Sequence, residues 1–204
     1  MHIPTGIHHI AICTADMRTQ LEFFSDVLGL KLVGLFWMHG VEGTWHAFME
    51  LNKTSFLSFV QTPDTPGIPH ELGVTHAGQP GGSSSSGTLQ HVALHVDDLE
   101  SLLALRDRIR SRGVNVFGPL DHGICHSIYF AGPEDLTLEI ATNGVPMTDQ
   151  DWIDRGWTSK GGTWESWGDR DRTRCEADWW ERNRDETAWS TVTHWEGDLA
   201  GKEA

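Results

Sequence analysis

Apolar and polar residues alternate along residues 6–13, which is the period-two pattern of a β-strand with one buried face. Asp16 then suits a helix N-cap, and an apolar stripe at helical spacing runs from Leu21 until Gly29 ends the helix. Three further strands are predicted, at residues 31–38, 44–51 and 55–61. The first module, within residues 1–62, is therefore predicted to be a β-α-β-β-β unit.

The same pattern returns in residues 88–142, the predicted second module. His91 occupies the place that His9 holds in the first copy, and an aspartate follows each histidine after seven residues. Asp97, with Glu100 three positions later, resembles a helix capping box. Strands are predicted after the helix, at residues 114–120, 124–130 and 136–141. We interpret the two copies, offset by 82 residues, as an internal duplication.

Two stretches fall outside the repeat. Residues 63–87 hold four prolines, six glycines and four consecutive serines, which is typical of a flexible linker or a long loop. Residues 143–204 hold eight of the ten tryptophans. We expect this Trp-rich C-terminal extension to pack on the core or on a partner subunit through aromatic anchors, or to close a cleft over an aromatic substrate.

Strand parity places three candidate metal ligands on corresponding surfaces. His9 and His91 lie on the first strand of each copy, and Glu139 lies on the last strand, between the aliphatic Leu138 and Ile140. All three are predicted to face away from the helices. Two imidazoles and one carboxylate that leave positions open suit Fe(II), and also Mn, Ni, Co or Zn. The predicted fold is α+β, with two paired βαβββ modules forming a metal-binding cleft.

Composition excludes several classes of function. A net charge of −14 argues against a nucleic-acid partner, which would require basic residues. No apolar run reaches transmembrane length, and the N-terminus does not resemble a signal peptide, so no membrane association is expected. Three widely spaced cysteines predict a reducing, cytoplasmic location.

Three segments, GIHHIAI, LQHVALHVDD and YFAGPEDLTLE, resemble the vicinal oxygen chelate superfamily. That superfamily includes glyoxalase I, fosfomycin-resistance proteins, bleomycin-binding proteins and type I extradiol dioxygenases. The resemblance covers roughly residues 7–142. It implies a divalent metal in a cleft between the modules, held by His9, His91 and Glu139.

The fourth ligand position of glyoxalase I-like members helps to separate the activities. It corresponds here to Phe59, or to Ser58 if the register slips by one residue, and neither is a good metal ligand. Glu50, on the preceding strand, is a candidate substitute. A three-ligand site is favoured, which points to dioxygenase-like or fosfomycin-resistance-like chemistry.

The spacing of His122, Tyr129 and Glu139 resembles the extradiol dioxygenase signature, although Gly132 and Asp135 depart from it. The resemblance implies that His122 and Tyr129 lie beside the metal and assist oxygen activation and substrate deprotonation. His126 and His46 are further acid–base candidates, because imidazole titrates near neutral pH. Another catalytic histidine of that family maps near Ser55 and is missing; the candidate replacements are His46, His70 and His76.

These features predict a metal-dependent oxidoreductase, an Fe(II) extradiol-type dioxygenase that acts as a homodimer on a small catecholic or related aromatic substrate with O₂. One alternative is a lyase, isomerase or thiol transferase of the glyoxalase or fosfomycin-resistance type, with a redox-inert metal as Lewis acid. A second alternative is a non-catalytic drug-binding protein. The sequence leaves open whether the modules pair within one chain or across a dimer.

Overall fold

The computed structural model describes residues 2–144, and it contains the predicted order of elements twice. The first set comprises β1 (His9–Cys13), α1 (Met17–Asp26), β2 (Lys31–Trp37), β3 (Trp45–Asn52) and β4 (Ser55–Gln61). The second set comprises β5 (Val92–His95), α2 (Leu99–Ser111), β6 (Val116–Asp121), β7 (Cys125–Ala131) and β8 (Thr137–Asn143). Two short 3-10 helices lie outside these sets, at Thr65–Gly67 and Pro133–Asp135.

Each set forms a four-stranded mixed sheet, with the equivalent strand orders β1-β4-β3-β2 and β5-β8-β7-β6. The first and last strands of each sheet are parallel neighbours. Ala11 is paired with Ser58 in the first sheet, and Ala93 is paired with Glu139 in the second. Because each alanine lies two residues after the repeated histidine, Ser58 is the counterpart of Glu139. The α+β class and the duplicated module are confirmed.

Matching aspartates cap the two helices. The carboxylate of Asp16 accepts a hydrogen bond from the backbone N–H of Thr19 (3.1 Å), and that of Asp98 accepts one from Ser101 (2.8 Å). These backbone hydrogen bonds lower the pKa of both carboxyl groups, because they favour the charged form. The predicted cap at Asp97 is wrong by one residue, since α2 begins at Leu99 and the duplicated partner of Asp16 is Asp98.

The chain divides into two units. Among the described residues, the first contains residues 2–91 together with Asp107–Asn115 and Ala131–Thr137, and the second contains Val92–Arg106, Val116–Phe130 and residues 138–144. In the first unit, α1 packs the fully buried Phe24 against Phe59, with ring centroids 5.1 Å apart. In the second unit, β7 and β8 contribute the buried aliphatic and aromatic side chains Ile128, Phe130, Leu138 and Ile140.

The Gly- and Pro-rich segment 63–87 is held by hydrogen bonds at several points in the first unit. The carboxamide of Gln90 donates to the carbonyl oxygens of Gln79, Pro80 and Gly82, at 3.2, 2.7 and 3.1 Å. Nε2 of His70 lies 2.8 Å from the carboxylate of Asp135. Almost all of the Trp-rich extension, from residue 145, lies outside the described residues. Within residues 2–144, no helix is long and apolar enough to cross a membrane.

Glu134 fixes the start of α1 within the first unit. One carboxylate oxygen accepts from the backbone N–H of Ala15 (2.7 Å), and the other accepts from Nε2 of Gln20 (2.7 Å). The side chain of Gln20 is fully buried. Glu134 adopts a left-handed backbone conformation (φ 55°, ψ 41°), which is uncommon for a residue other than glycine. The carboxylate therefore satisfies both the backbone N–H of Ala15, which directly precedes the N-cap Asp16, and the buried amide of Gln20.

We expect Glu134→Ala to lower the free energy of unfolding by about 2–3 kcal/mol, because it leaves a buried amide donor without its charged acceptor. Urea denaturation measures this loss. Glu22→Ala is the matched control, since Glu22 forms an exposed ion pair with Arg18 (2.6 Å). Such pairs contribute little to stability, so the control should denature almost like the native protein. Equal losses in the two variants would contradict the anchoring role.

Candidate functional site

Tyr129 is the centre of a polar cluster in the second unit. It lies on β7 and is only 7% exposed. Its hydroxyl oxygen is 3.2 Å from Nε2 of His122, and it also forms hydrogen bonds with the side chains of Ser127 and Glu139. Since a phenol has one proton, a hydroxyl that donates to the Glu139 carboxylate can accept from Ser127 and from a His122 protonated at Nε2. The structure thus brings together His122, Tyr129 and Glu139.

The environment of Tyr129 favours its neutral form. Burial raises the pKa of the hydroxyl most, and the negative charge of Glu139 raises it further. The phenol is therefore an uncharged hydrogen-bond donor throughout the neutral pH range.

This pKa shift can be measured directly, because Tyr129 is the single tyrosine of the chain. The ultraviolet absorbance of tyrosinate should rise in the folded protein only well above the pH of about 10 at which a free tyrosine ionises. Since the folded state holds this proton more tightly, its stability should fall as the pH rises above about 10. Tyr129→Phe should remove that part of the pH dependence. Ionisation of the folded protein at the free-tyrosine pH would contradict the assignment.

Glu139 lies on β8 and is 5% exposed. Burying a carboxylate is costly unless hydrogen-bond donors or a cation compensate it, and the Tyr129 hydroxyl supplies one donor. Ser127 and Cys125 lie two and four residues before Tyr129, on the same face of β7, and the Cys125 sulfur lies 3.4 Å from the Ser127 hydroxyl. The sequence interpretation did not single out these two residues. The period of two, counted back from Tyr129, is the signal that could have identified them.

His126 differs from the other acid–base candidates. Its position along β7 alternates with that of Tyr129, so it has the parity of the buried Ile128 and Phe130. Its Nε2 lies 3.9 Å from the carboxylate of Asp121 on β6. The structure therefore does not bring His126 into the Tyr129 cluster.

His9 and His46 belong to the sheet of the first unit, on its face away from α1. Nε2 of His46 is 2.7 Å from the hydroxyl of Ser58. Burial lowers the pKa of His46, and His9 lowers it further by charge repulsion, so His46 is neutral at neutral pH. The ring of Phe48 lies between the two histidines, with its centroid 5.5 Å from that of His9 and 4.5 Å from that of His46.

Aromatic rings extend this face of the first sheet. Phe36 stacks on Phe48 with centroids 6.1 Å apart, and Phe56 meets Phe48 edge to face at 6.2 Å. Phe36 is 38% exposed, and Phe48 and Phe56 are partly exposed. The result is an accessible aromatic surface, formed by Phe36, Phe48 and Phe56, which borders two imidazoles.

The register settles which residue occupies the fourth ligand position. It is Ser58 rather than Phe59, and Ser58 is fully buried and bonded to His46. In the first module, Phe48 pairs with Ser58. In the second module, the hydrogen bonds at the two ends of the β7–β8 hairpin place Tyr129 opposite Glu139. Tyr129 is therefore the counterpart of Phe48. Glu50 lies beside Lys31 across β2–β3, an opposite-charge pairing that stabilises a sheet, and β4 separates it from β1.

The positions and donor atoms of the three predicted metal ligands, His9, His91 and Glu139, can be compared with the preferences of a divalent metal. His91 immediately precedes β5 and contacts the side-chain oxygen of Gln90, and His9 lies 2.9 Å from the ring nitrogen of His8. Among residues 2–144, no three His, Cys, Asp or Glu side chains are arranged to hold a metal ion. Two imidazoles and one buried carboxylate nevertheless fit the donor preferences of a divalent first-row metal. The set of His9, His91 and Glu139 therefore stays a prediction.

Comparison with known proteins supports this reading of the fold. A glyoxylase/bleomycin resistance protein/dioxygenase domain from Frankia sp. EAN1pec is 13% identical, covers 69% of this chain and 99% of its own, and has a TM-score of 0.54. The antibiotic-binding protein TnmS3 from Streptomyces sp. CB03234 is 17% identical, with coverages of 71% and 100% and a TM-score of 0.50. At these identities the similarity concerns the fold alone.

The sequence itself also identifies the family. No curated protein matches it. The family model of the Glyoxalase/Bleomycin resistance protein/Dioxygenase superfamily, however, matches residues 6–140, about two-thirds of the chain. This range contains the first β-α-β-β-β set and all of the second except the end of β8, together with the repeated histidines and Glu139. The chain therefore belongs to the glyoxalase/bleomycin resistance protein/dioxygenase superfamily.

Proposed function

We propose that this chain is a metal-dependent enzyme, and specifically an Fe(II) extradiol-type dioxygenase that cleaves a catecholic or related aromatic substrate. The observation that carries the proposal is the Tyr129 cluster. Its phenol is buried, kept neutral, and bonded to both a carboxylate and an imidazole. A tyrosine that only packs needs a single partner for its buried hydroxyl, whereas a residue that moves a proton needs both a donor and an acceptor within reach.

We assign the metal ligands to His9, His91 and Glu139. When bound, a divalent metal with open positions would hold the vicinal oxygens of the substrate and O₂. Ser58 contributes no charge at the position that corresponds to Glu139, so the ligand set carries a single negative charge. A set with one carboxylate leaves room for an anionic catecholate.

The chain's own residues would handle the protons. The hydroxyl of Tyr129 has one proton, which it donates to Glu139 in the structure. With the Glu139 carboxylate engaged by the metal, that proton would be available for a hydrogen bond to an oxygen atom of the substrate, which would orient it. His122, 3.2 Å from that hydroxyl, can take up or return a proton as charge develops. His46, kept neutral by burial, is a second base candidate in the first unit. His126 is a weaker candidate because it faces Asp121.

A second function is favoured by the aromatic surface of the first sheet. Phe36, Phe48 and Phe56 form an accessible surface on which a planar molecule could stack without being transformed. TnmS3, which shares the fold, is an antibiotic-binding protein. In this alternative the protein sequesters an aromatic compound and needs no catalytic metal.

The deciding experiment combines metal analysis of protein purified without oxygen with O₂ uptake in the presence of a panel of catechols. Stoichiometric iron and catechol-dependent O₂ consumption are the expected results. Zinc, nickel or manganese with no O₂ uptake would overturn the dioxygenase assignment in favour of a lyase or transferase that uses the metal as a Lewis acid. Catechol binding without metal or turnover would instead support sequestration.

A further inference from the structure

An apolar groove lies on the α1 side of the first sheet, opposite the aromatic surface. It has a volume of about 420 Å³, within the range of roughly 300–1,000 Å³ that is typical of ligand pockets. Its walls are Met17 and Leu21 from α1, Leu35 from β2 and Trp45 from β3. The charged groups at its rim include Arg18 and Glu22, which pair with each other.

The groove opens onto an apolar strand at the edge of the sheet. β2 is the terminal strand of the order β1-β4-β3-β2, and its outer edge pairs with no other strand among residues 2–144. Leu35 is 46% exposed and Trp37 is 56% exposed, and Trp37 stacks on Trp45 with centroids 3.9 Å apart. Long apolar edge strands are normally covered in folded proteins, because they otherwise promote aggregation.

We propose that the Trp-rich extension of the same chain, residues 145–204, covers this groove and inserts a tryptophan beside Leu35 and Trp45. The extension carries eight tryptophans, at positions 152, 157, 164, 167, 179, 180, 189 and 195. Each indole can bury about 150–250 Å² of surface. An extension that stayed in solvent would leave all of this apolar surface exposed to water.

The length of the extension permits this docking. Trp152 follows the last described residue, Gly144, by eight positions, and Trp195 follows it by 51. At roughly 3.3 Å per extended residue, Trp152 can lie up to about 26 Å from Gly144, and Trp195 up to about 170 Å from it. A folded chain of this length has a radius of gyration of only about 17 Å. The groove is thus within reach of several tryptophans.

Charge and tethering favour the chain's own extension over a second copy. The extension has 8 basic and 14 acidic side chains, and residues 1–144 have 7 basic and 15 acidic ones, so attraction between opposite net charges cannot drive docking. Aromatic burial is left as the driving force. A tether gives the extension an effective local concentration on the order of millimolar, which a second molecule reaches only in concentrated solution.

Amide hydrogen exchange on the full chain tests this inference. We expect at least one tryptophan-containing peptide of the extension to exchange about tenfold or more slowly than a free chain. Leu35→Glu should restore free-chain exchange there, because it places a charge in the groove. Leu99→Glu is the matched control, since Leu99 is 43% exposed at the start of α2 and does not line the groove. It should leave the protection unchanged.

A reciprocal experiment guards against misfolding of the Leu35→Glu variant. The four tryptophans at 152–167 and the four at 179–195 are replaced by alanine in two separate full-length variants. One of the two should increase exchange in the peptides that contain Leu21 and Leu35. Free-chain exchange throughout the native extension would overturn the proposal, as would groove protection that survives both variants. Groove protection that rises with protein concentration would assign the groove to a second copy instead.

Discussion

His91→Ala should abolish stoichiometric metal binding while leaving the fold intact. If His91 is one of three ligands, its loss leaves one imidazole and one carboxylate, which cannot hold a divalent ion against chelation. We expect the metal affinity to fall by more than the roughly 10–100-fold that follows the loss of a residue that only orients a ligand. Metal content after dialysis against a weak chelator is the measurement, and O₂ uptake should fall with it.

The matched control for this prediction is His95→Ala. His95 lies four residues after His91, at the end of β5, and is exposed, with a long contact of 3.4 Å to Asn143. It should retain both the metal and the activity. Because His91 is partly exposed and precedes its strand, its replacement should leave the thermal midpoint nearly unchanged. Full metal retention in His91→Ala would exclude it as a ligand.

Periodicity predicted the fold well because both modules follow local rules. The strand alternation, the aspartate caps and the glycine stops each act within a few residues, and they recur with an offset of 82 residues at His9/His91 and Asp16/Asp98. The order of strands in each sheet, with the first strand beside the last, was not predicted, because the burial of one face does not determine which strands are neighbours. The cap at Asp97 was misassigned because two adjacent aspartates offer the same local signal.

The details of the site depended on register and on long-range contacts, which no local pattern contains. A slip of one residue separates Phe59 from Ser58 as the counterpart of Glu139, and only the pairing of Ala11 with Ser58 resolves it. The alternation of apolar and polar residues did not show which face of its strand Tyr129 occupies. The structure buries its side chain beside Glu139 and His122. The role of Glu134 was equally hidden, because its partners Ala15 and Gln20 are more than a hundred residues away.

Tyr129→Phe should lower kcat by about 10²–10⁴, the usual contribution of a positioned proton donor or acceptor. The substitution keeps the ring in the core and removes only the hydroxyl, so His122 and Glu139 lose their shared partner. Because the phenol contacts the proposed ligand Glu139 without being a ligand itself, the metal affinity should fall by no more than roughly 10–100-fold, and the metal should still bind at saturating concentration. Measuring kcat and bound metal on the same preparation separates a missing proton carrier from a missing metal.

Ser127→Ala provides the control that distinguishes chemistry from packing. Ser127 is fully buried on the same strand face and bonds to the same hydroxyl, but it has no titratable group that could exchange a proton with substrate. Its loss should therefore leave kcat within a few-fold of the native value while Tyr129→Phe loses most activity. If both variants lose activity equally, the hydroxyl of Tyr129 acts by holding β7 in place. If Tyr129→Phe keeps full activity, the cluster is structural, and the aromatic surface of the first sheet becomes the better guide to function.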